Sequence, residues 1–265
     1  MRMYPEVTVV TPLYNYAEYV AHTIHSVLNQ SLQSFEHILV DDGSTDSSAD
    51  VVRSFLSDSR ITLIELGKNH GFSAAKNVGI EAARAKFITT IDADDMLTRD
   101  SLQMRVDYLN EHPEMDVVHG RVYVCHGPGD FTEATSGLDE EPWHPRRMRQ
   151  YVLDGTPPKN HWAAIHAQGV LCRREVYERV GLYDEEMRWK ADREMWYRML
   201  QYGARIGYLD AFVAIYRLHD RNMSQSAERR RSNIEDVFRQ KCLERSGGTL
   251  PEDVKRLRAK ALPNC

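Results

Sequence analysis

Short β-branched runs alternate with helix-length stretches through the first hundred residues, and this alternation restricts the fold more than any other feature. Residues 7–11 form one such run, broken by Pro12 and followed by Leu13, Tyr14 and Asn15. Residues 36–40 form a second, ending in Asp41-Asp42-Gly43-Ser44-Thr45-Asp46, and residues 87–91 a third, ending in Asp92, Asp94 and Asp95. Helix-like segments follow the first two, at 17–30 and 47–56. Strands that alternate with helices of this length build right-handed βαβ units and a mostly parallel sheet. Ligands of such sheets bind along the edge where the strands' carboxyl ends lie. Thr11, Asp42 and Asp92 are therefore expected to meet, although they lie far apart in sequence.

The three carboxylates after residue 91 need compensation. Like charges this close repel, and burying them without a cation is costly. A hard divalent ion such as Mg²⁺ supplies that charge through oxygen ligands, with substrate phosphates completing its shell. An Asp-rich turn that caps the next helix fits the same residues, and Asp95 suits that role.

Seven ordered segments carry a resemblance. Val9-Val-Thr-Pro-Leu-Tyr-Asn15, Val40-Asp-Asp-Gly-Ser-Thr-Asp46, the stretch Asn69 to Gly79, and Ile91-Asp-Ala-Asp-Asp95 are similar to blocks of the family 2 glycosyltransferases. Gly181-Leu-Tyr-Asp-Glu185, Ala191-Asp-Arg-Glu-Met-Trp-Tyr-Arg198 and Tyr216 to Ser224 match its later blocks. The resemblance spans roughly residues 5–225. It implies the GT-A fold: an α/β architecture with a mostly parallel central sheet flanked by helices, a nucleotide half to about residue 125 and an acceptor half over 126–225.

The resemblance also assigns roles. It implies that Asp42 accepts from a ring N–H of the donor base, with Thr11, Pro12 and Tyr14 flanking that base. Asp92 holds the ribose or a metal-bound water, Ala93 belongs to the donor-binding set, and Asp94 ligates Mn²⁺ or Mg²⁺, with His219 completing the metal shell or contacting the diphosphate. Asn222 and Ser224 contact phosphate oxygens. Lys76 stands where the family usually has Arg; it keeps a positive charge for the donor but lacks the bidentate fork. Asp192 matches the catalytic base and falls at a helix N-terminus, which suits an ionised carboxylate. A plain helix N-cap fits Asp192 as well. The implied reaction is metal-assisted, inverting transfer from a nucleotide-diphosphate sugar, with UDP or dTDP as carrier, to a hydroxyl on a saccharide, lipid-linked sugar, protein or small molecule. A nucleotidyltransferase is one alternative, but residues 11–14 are neither Gly-rich nor basic. A catalytically inactive nucleotide-sugar-binding protein is the other, opposed by the joint presence of Asp94, Asp192 and His219.

The remaining sequence sets bounds. A formal charge of −5 over 265 residues argues against a nucleic-acid ligand. No apolar run reaches spanning length, and the N-terminus lacks a signal peptide's apolar core, so a cytoplasmic protein is expected. Cys125, Cys172, Cys242 and Cys265 have no metal-ligand spacing and read as reduced thiols. His22 and His25 read as a solvated helix face. Thr98 can cap a helix running to about His112. Residues 126–161 dissolve into Gly, Pro and charge, the pattern of a functional loop or a disordered insertion. Trp162, His166 and Gln168 are expected on the acceptor side, and Trp196 in the core. The segment 226–265 is basic, with apolar positions that fit a helix packed on the body; peripheral contact with an anionic membrane is the alternative.

Overall fold

The computed structural model describes residues 4–127, 130–133 and 165–222. Strands β1 (Val7–Leu13), β2 (Phe35–Asp41), β3 (Ile61–Glu65) and β4 (Phe87–Thr90) pair in parallel in the order β3-β2-β1-β4. Every residue of β1, β2 and β4 is buried. Continuous burial is what helices on both faces of a parallel sheet produce. Helices α1 (Val20–Leu28) and α2 (Ser48–Arg53) cover one face, where Leu13, Val20, Ile24, Leu39 and Val52 cluster. Helix α3 (Phe72–Ala82) covers the other through Ala75, against Ile38 and Val40. It lies so close to β1 that a Cβ on Gly79 would stand 2.3 Å from Val10 Cγ1.

Beyond β4 the sheet turns mixed. It continues β8 (Val170–Arg173), β6 (Val117–Gly127), β9 (Ile206–Arg217) and β5 (Met96–Leu97), with β7 (Asp130–Glu133) paired to β6. β8 runs antiparallel to β4 and β6, β9 parallel to β6, and β5 antiparallel to β9. Helices α4 (Ser101–Glu111), α5 (Arg174–Val180) and α6 (Ala191–Gln201) complete the described residues. Trp196, Met195 and Met199 of α6 pack with Val10, Ile88 and Cys172, so Trp196 is a core residue as the sequence suggested. The 265-residue chain thus carries one sheet through both expected halves.

Several local expectations shift. Thr98 does not cap α4: the cap position is Asp100, and the Thr98 hydroxyl donates to the Phe212 carbonyl at 2.8 Å, pinning the β5 exit to β9. β9 is the longest of the described strands and runs from Ile206 to Arg217. β6 and β7 carry regular structure into the stretch read as irregular, while residues 134–164 and 223–265, including Trp162, Ser224, Cys242, Cys265 and the basic C-terminal segment, lie outside the described residues. His22 and His25 are exposed on α1, and Cys125 and Cys172 are buried free thiols.

Candidate active site

The carboxyl ends of β1, β2 and β4 form a loop cradle. Asn15 adopts a left-handed conformation, φ 59°, and its Oδ1 accepts from the backbone N–H of Thr45 at 2.8 Å and of Asp46 at 3.2 Å. The Asp46 carboxylate accepts in turn from the N–H of Ala17 and of Ser48. Asp41 closes its own turn by accepting from the Ser44 N–H, which is ordinary Asx chemistry. These bonds fix the β1 and β2 loops to each other.

Asp42 is buried, and its two oxygens accept from the backbone N–H groups of His70 (2.7 Å) and Gly71 (2.8 Å). It therefore anchors the segment that starts α3, where Gly71 holds φ 102°. Each oxygen keeps a further lone pair. Thr11 is fully buried and its hydroxyl meets His37 Nε2 at 2.9 Å inside the sheet, so its side chain does not reach the cradle. Pro12 is also buried, and Tyr14 is exposed at the cradle's rim.

Asp92, Asp94 and Asp95 each present an oxygen within 4.8 Å of the others. Asp94 Oδ2 is met by His219 Nε2 at 2.9 Å and by Asn222 Nδ2 at 3.1 Å. The His219 ring stacks on Tyr19, with centroids 4.5 Å apart and planes 19° apart. Asn222 holds the turn that presents His219: its Nδ2 donates to the Arg217 carbonyl and its Oδ1 accepts the His219 N–H. Asp95 is fully buried but caps no helix; it accepts from the Arg217 backbone N–H at 2.9 Å and from the Gln168 amide. Burial first, then the charges of Asp94 and Asp92, hold its carboxyl well above the usual range. Asp92 is pushed up to about 7, again chiefly by burial, with Lys76 opposing and Asp94 and Asp192 reinforcing. The Tyr16 hydroxyl is raised by burial and then by Asp94, Asp92 and Asp95. Ala93 lies between these carboxylates, and its carbonyl accepts from the Thr23 hydroxyl.

The second cluster is an ion pair. Lys76 is fully buried on α3, and its Nζ donates to Asp192 Oδ1 at 2.9 Å. Phe72 and Tyr183 present ring faces to the same ammonium at 4.2 and 5.0 Å. Asp192 is 32% exposed and sits in the first turn of α6. The cap position belongs to Lys190, and no side chain caps the helix, so the plain N-cap reading of Asp192 fails. Glu194 is fully buried in a pair with Arg198 at 2.7 Å.

The donor set suits a hard divalent cation: carboxylate oxygens with one imidazole. The Asp92 Oδ1 atom is enclosed and has no hydrogen-bond partner among the described residues. An orphaned carboxylate oxygen in an acidic cluster is what a ligand position requires. No other group of three His, Cys, Asp or Glu residues among those described is arranged for a metal.

Residues 8–181 match the pattern of the family described as Glycosyl transferase family 2. The chain belongs to that family. It is 30% identical over 234 residues to "Uncharacterized glycosyltransferase EpsJ" of Bacillus subtilis (strain 168), covering 84% of this chain and 64% of that one. It is 35% identical over 135 residues to "Glycosyltransferase GlyG" of Streptococcus pneumoniae serotype 4, covering 50% of this chain and 44% of the relative. The matched segments thus span less than two thirds of either relative. Among solved structures it resembles S. aureus TarS 1–349 in complex with UDP-GlcNAc, with TM-score 0.68, 17% identity, and coverage of 97% of this chain and 79% of that one. It also resembles the mannosyltransferase PcManGT of Pyrobaculum calidifontis in complex with GDP-Man and Mn²⁺, with TM-score 0.61, 17% identity and coverage of 99% and 81%. At such identities these two establish the fold.

Three residues make contacts that the sequence did not indicate. Tyr19 supports His219, but nothing in the sequence distinguishes it from other α1-proximal aromatics. Gln168, expected on the acceptor side, bridges Asp92 and Asp95. Lys76, expected to face the donor, is engaged by Asp192.

Proposed function

We propose that this chain transfers a sugar from a nucleotide-diphosphate sugar to an acceptor hydroxyl, with inversion at the anomeric carbon and with help from Mn²⁺ or Mg²⁺. The observation that carries the reading is the meeting, at one sheet edge, of the Asp92–Asp94–His219 cluster with a half-exposed carboxylate, Asp192, backed by a buried cation. Asp94 and His219 would hold the cation, and the orphaned Asp92 oxygen suits the same shell or a ribose hydroxyl. When bound, the cation neutralises charge on the departing diphosphate. Asp192 removes the proton of the acceptor hydroxyl as that oxygen attacks the anomeric carbon from the face opposite the leaving group. Lys76 donates to one Asp192 oxygen at 2.9 Å and so holds the carboxylate in place. Asp42, Tyr14 and the backbone at Thr11 and Pro12 line the base and ribose side, with UDP or dTDP as carrier. The relatives support this reading through their glycosyltransferase names, and the two solved structures through the nucleotide sugars they hold.

The nucleotide half then extends to about residue 125 and the acceptor half over 126–225. The acceptor bears a hydroxyl. No described helix is long and apolar enough to cross a membrane. The test is release of nucleoside diphosphate from UDP-, dTDP- and GDP-sugars with and without Mn²⁺, beside thermal-shift titration of the same ligands. A specific ligand raises Tm in proportion to the logarithm of its excess over Kd. Binding without turnover across acceptors would favour a nucleotide-sugar-binding protein, and loss of both would remove the reading.

A further inference from the structure

Gln168 makes the contact in this centre that the reaction leaves unexplained. It projects from the 3₁₀ turn Ala167–Gly169, which enters β8, and is 5% exposed. Its Nε2 donates to Asp92 Oδ2 at 3.2 Å and to Asp95 Oδ2. A primary amide has two N–H groups, one for each carboxylate. The donor is neutral, so it holds the pair together without adding a fixed positive charge that would compete with a cation.

The consequences differ for the two acids. Asp95 has one oxygen on Gln168 and the other on the Arg217 N–H, so both are occupied by protein donors. Asp92 has only Oδ2 occupied, and Oδ1 is left enclosed and unpartnered. We propose, building on the metal-assisted reading above, that Gln168 is a positioning residue of the cation site: its amide withdraws Asp95 from the ligand set and turns Asp92 Oδ1 toward the ion. A residue that merely fills the core would affect stability and leave cation affinity alone.

The test measures Mn²⁺ binding to the full chain by electron paramagnetic resonance titration without donor, beside Tm in chelator. Gln168→Met keeps the side chain's size and removes both donors; partners that orient metal ligands typically contribute about 10–100-fold to affinity, and a loss in that range is expected. Gln168→Asn keeps the chemistry but is one methylene short of spanning both acids, so an intermediate loss is expected, and it serves as the readout where the Met variant fails to fold. Wild-type Mn²⁺ affinity in either folded variant overturns the inference, whatever its Tm. A wild-type chain that binds no Mn²⁺ removes the metal reading itself, a result distinct from unchanged affinity in the variants.

Discussion

Asp192→Asn separates the roles that converge on the Lys76–Asp192 pair. At 2.9 Å, two unit charges attract with about 6 kcal/mol at an effective dielectric of 20. Much of this is cancelled by the desolvation of a fully buried ammonium. Asn can still accept the Lys76 hydrogen bond, so the substitution removes charge and keeps geometry. The loss is that of the charge opposite a buried ammonium, screened by solvent reaching the 32% exposed Asp192, giving about 1–2 kcal/mol of destabilisation. For a domain of this size that corresponds to a Tm drop of about 2–8 °C. General-base catalysis typically contributes about 10²–10⁴-fold, so under the proposed base role Asp192→Asn should bind donor normally and transfer correspondingly slowly. Lys76→Met removes the ammonium together with its burial cost; it should lower kcat while leaving donor affinity unchanged, and the double variant should show coupling of about 0.5–3 kcal/mol. Calorimetry of nucleotide binding, single-turnover transfer and denaturant melts of the four proteins supply every term. Wild-type kcat in Asp192→Asn would refute the base assignment. Loss of donor affinity in Lys76→Met would return Lys76 to the diphosphate, and zero coupling would mean that the pair does not form in solution.

Asp94→Ala and His219→Ala should each abolish Mn²⁺-dependent stabilisation by nucleoside diphosphate in thermal-shift assays while the fold persists; stabilisation equal to wild type in either would remove that residue from the ligand set. Gly79→Ala should destabilise by about 1–3 kcal/mol, the cost of overpacking, because the new methyl meets Val10 across the α3–β1 contact; an unchanged urea midpoint would mean that the helix can shift. Burial lowers His37 to about 3, below its ordinary value near 6.5. The unfolded chain therefore takes up a proton that the folded one refuses as pH falls below 6.5, and stability present above that pH is lost toward 3, by up to about 1.4 kcal/mol per unit. His37→Gln should flatten that slope in melts between pH 4 and 6, and identical slopes would contradict the assignment.

The parallel half of the fold was legible because its strands are short β-branched runs that end in turn or acidic residues, and their carboxyl ends must share an edge. Asp94 and His219 were paired from family resemblance, and they meet at 2.9 Å across 125 positions. The helix ends shifted by a few residues, since the capping of α4 is decided by Thr98 finding the Phe212 carbonyl, a partner 114 positions away. The environments of Lys76 and Gln168 were illegible for the same reason. A lysine in a helix pattern looks like a solvated surface residue until Phe72, Tyr183 and Asp192 enclose it. A glutamine after an irregular loop gives no sign of the two carboxylates it bridges. Asp42 shows the opposite limit: its place at a strand end was readable, but its engagement with His70 and Gly71 depends on how α3 begins.

The distance along the chain between Asp94 and the residues that complete its surroundings has a consequence during synthesis. The strands β1 to β4 emerge early and can pair, whereas Arg217, His219 and Asn222 follow Asp94 by more than a hundred residues. At ribosomal speeds of about 5–20 residues per second, the 125-residue gap to His219 corresponds to roughly 6–25 s. Throughout that interval the growing polypeptide carries Asp94 without its imidazole and Asp95 without the Arg217 N–H. The parallel strands β1 to β4 can therefore pair on the ribosome before these contacts exist, and a chain released before β9 would keep that sheet while Asp94 and Asp95 lacked their late partners.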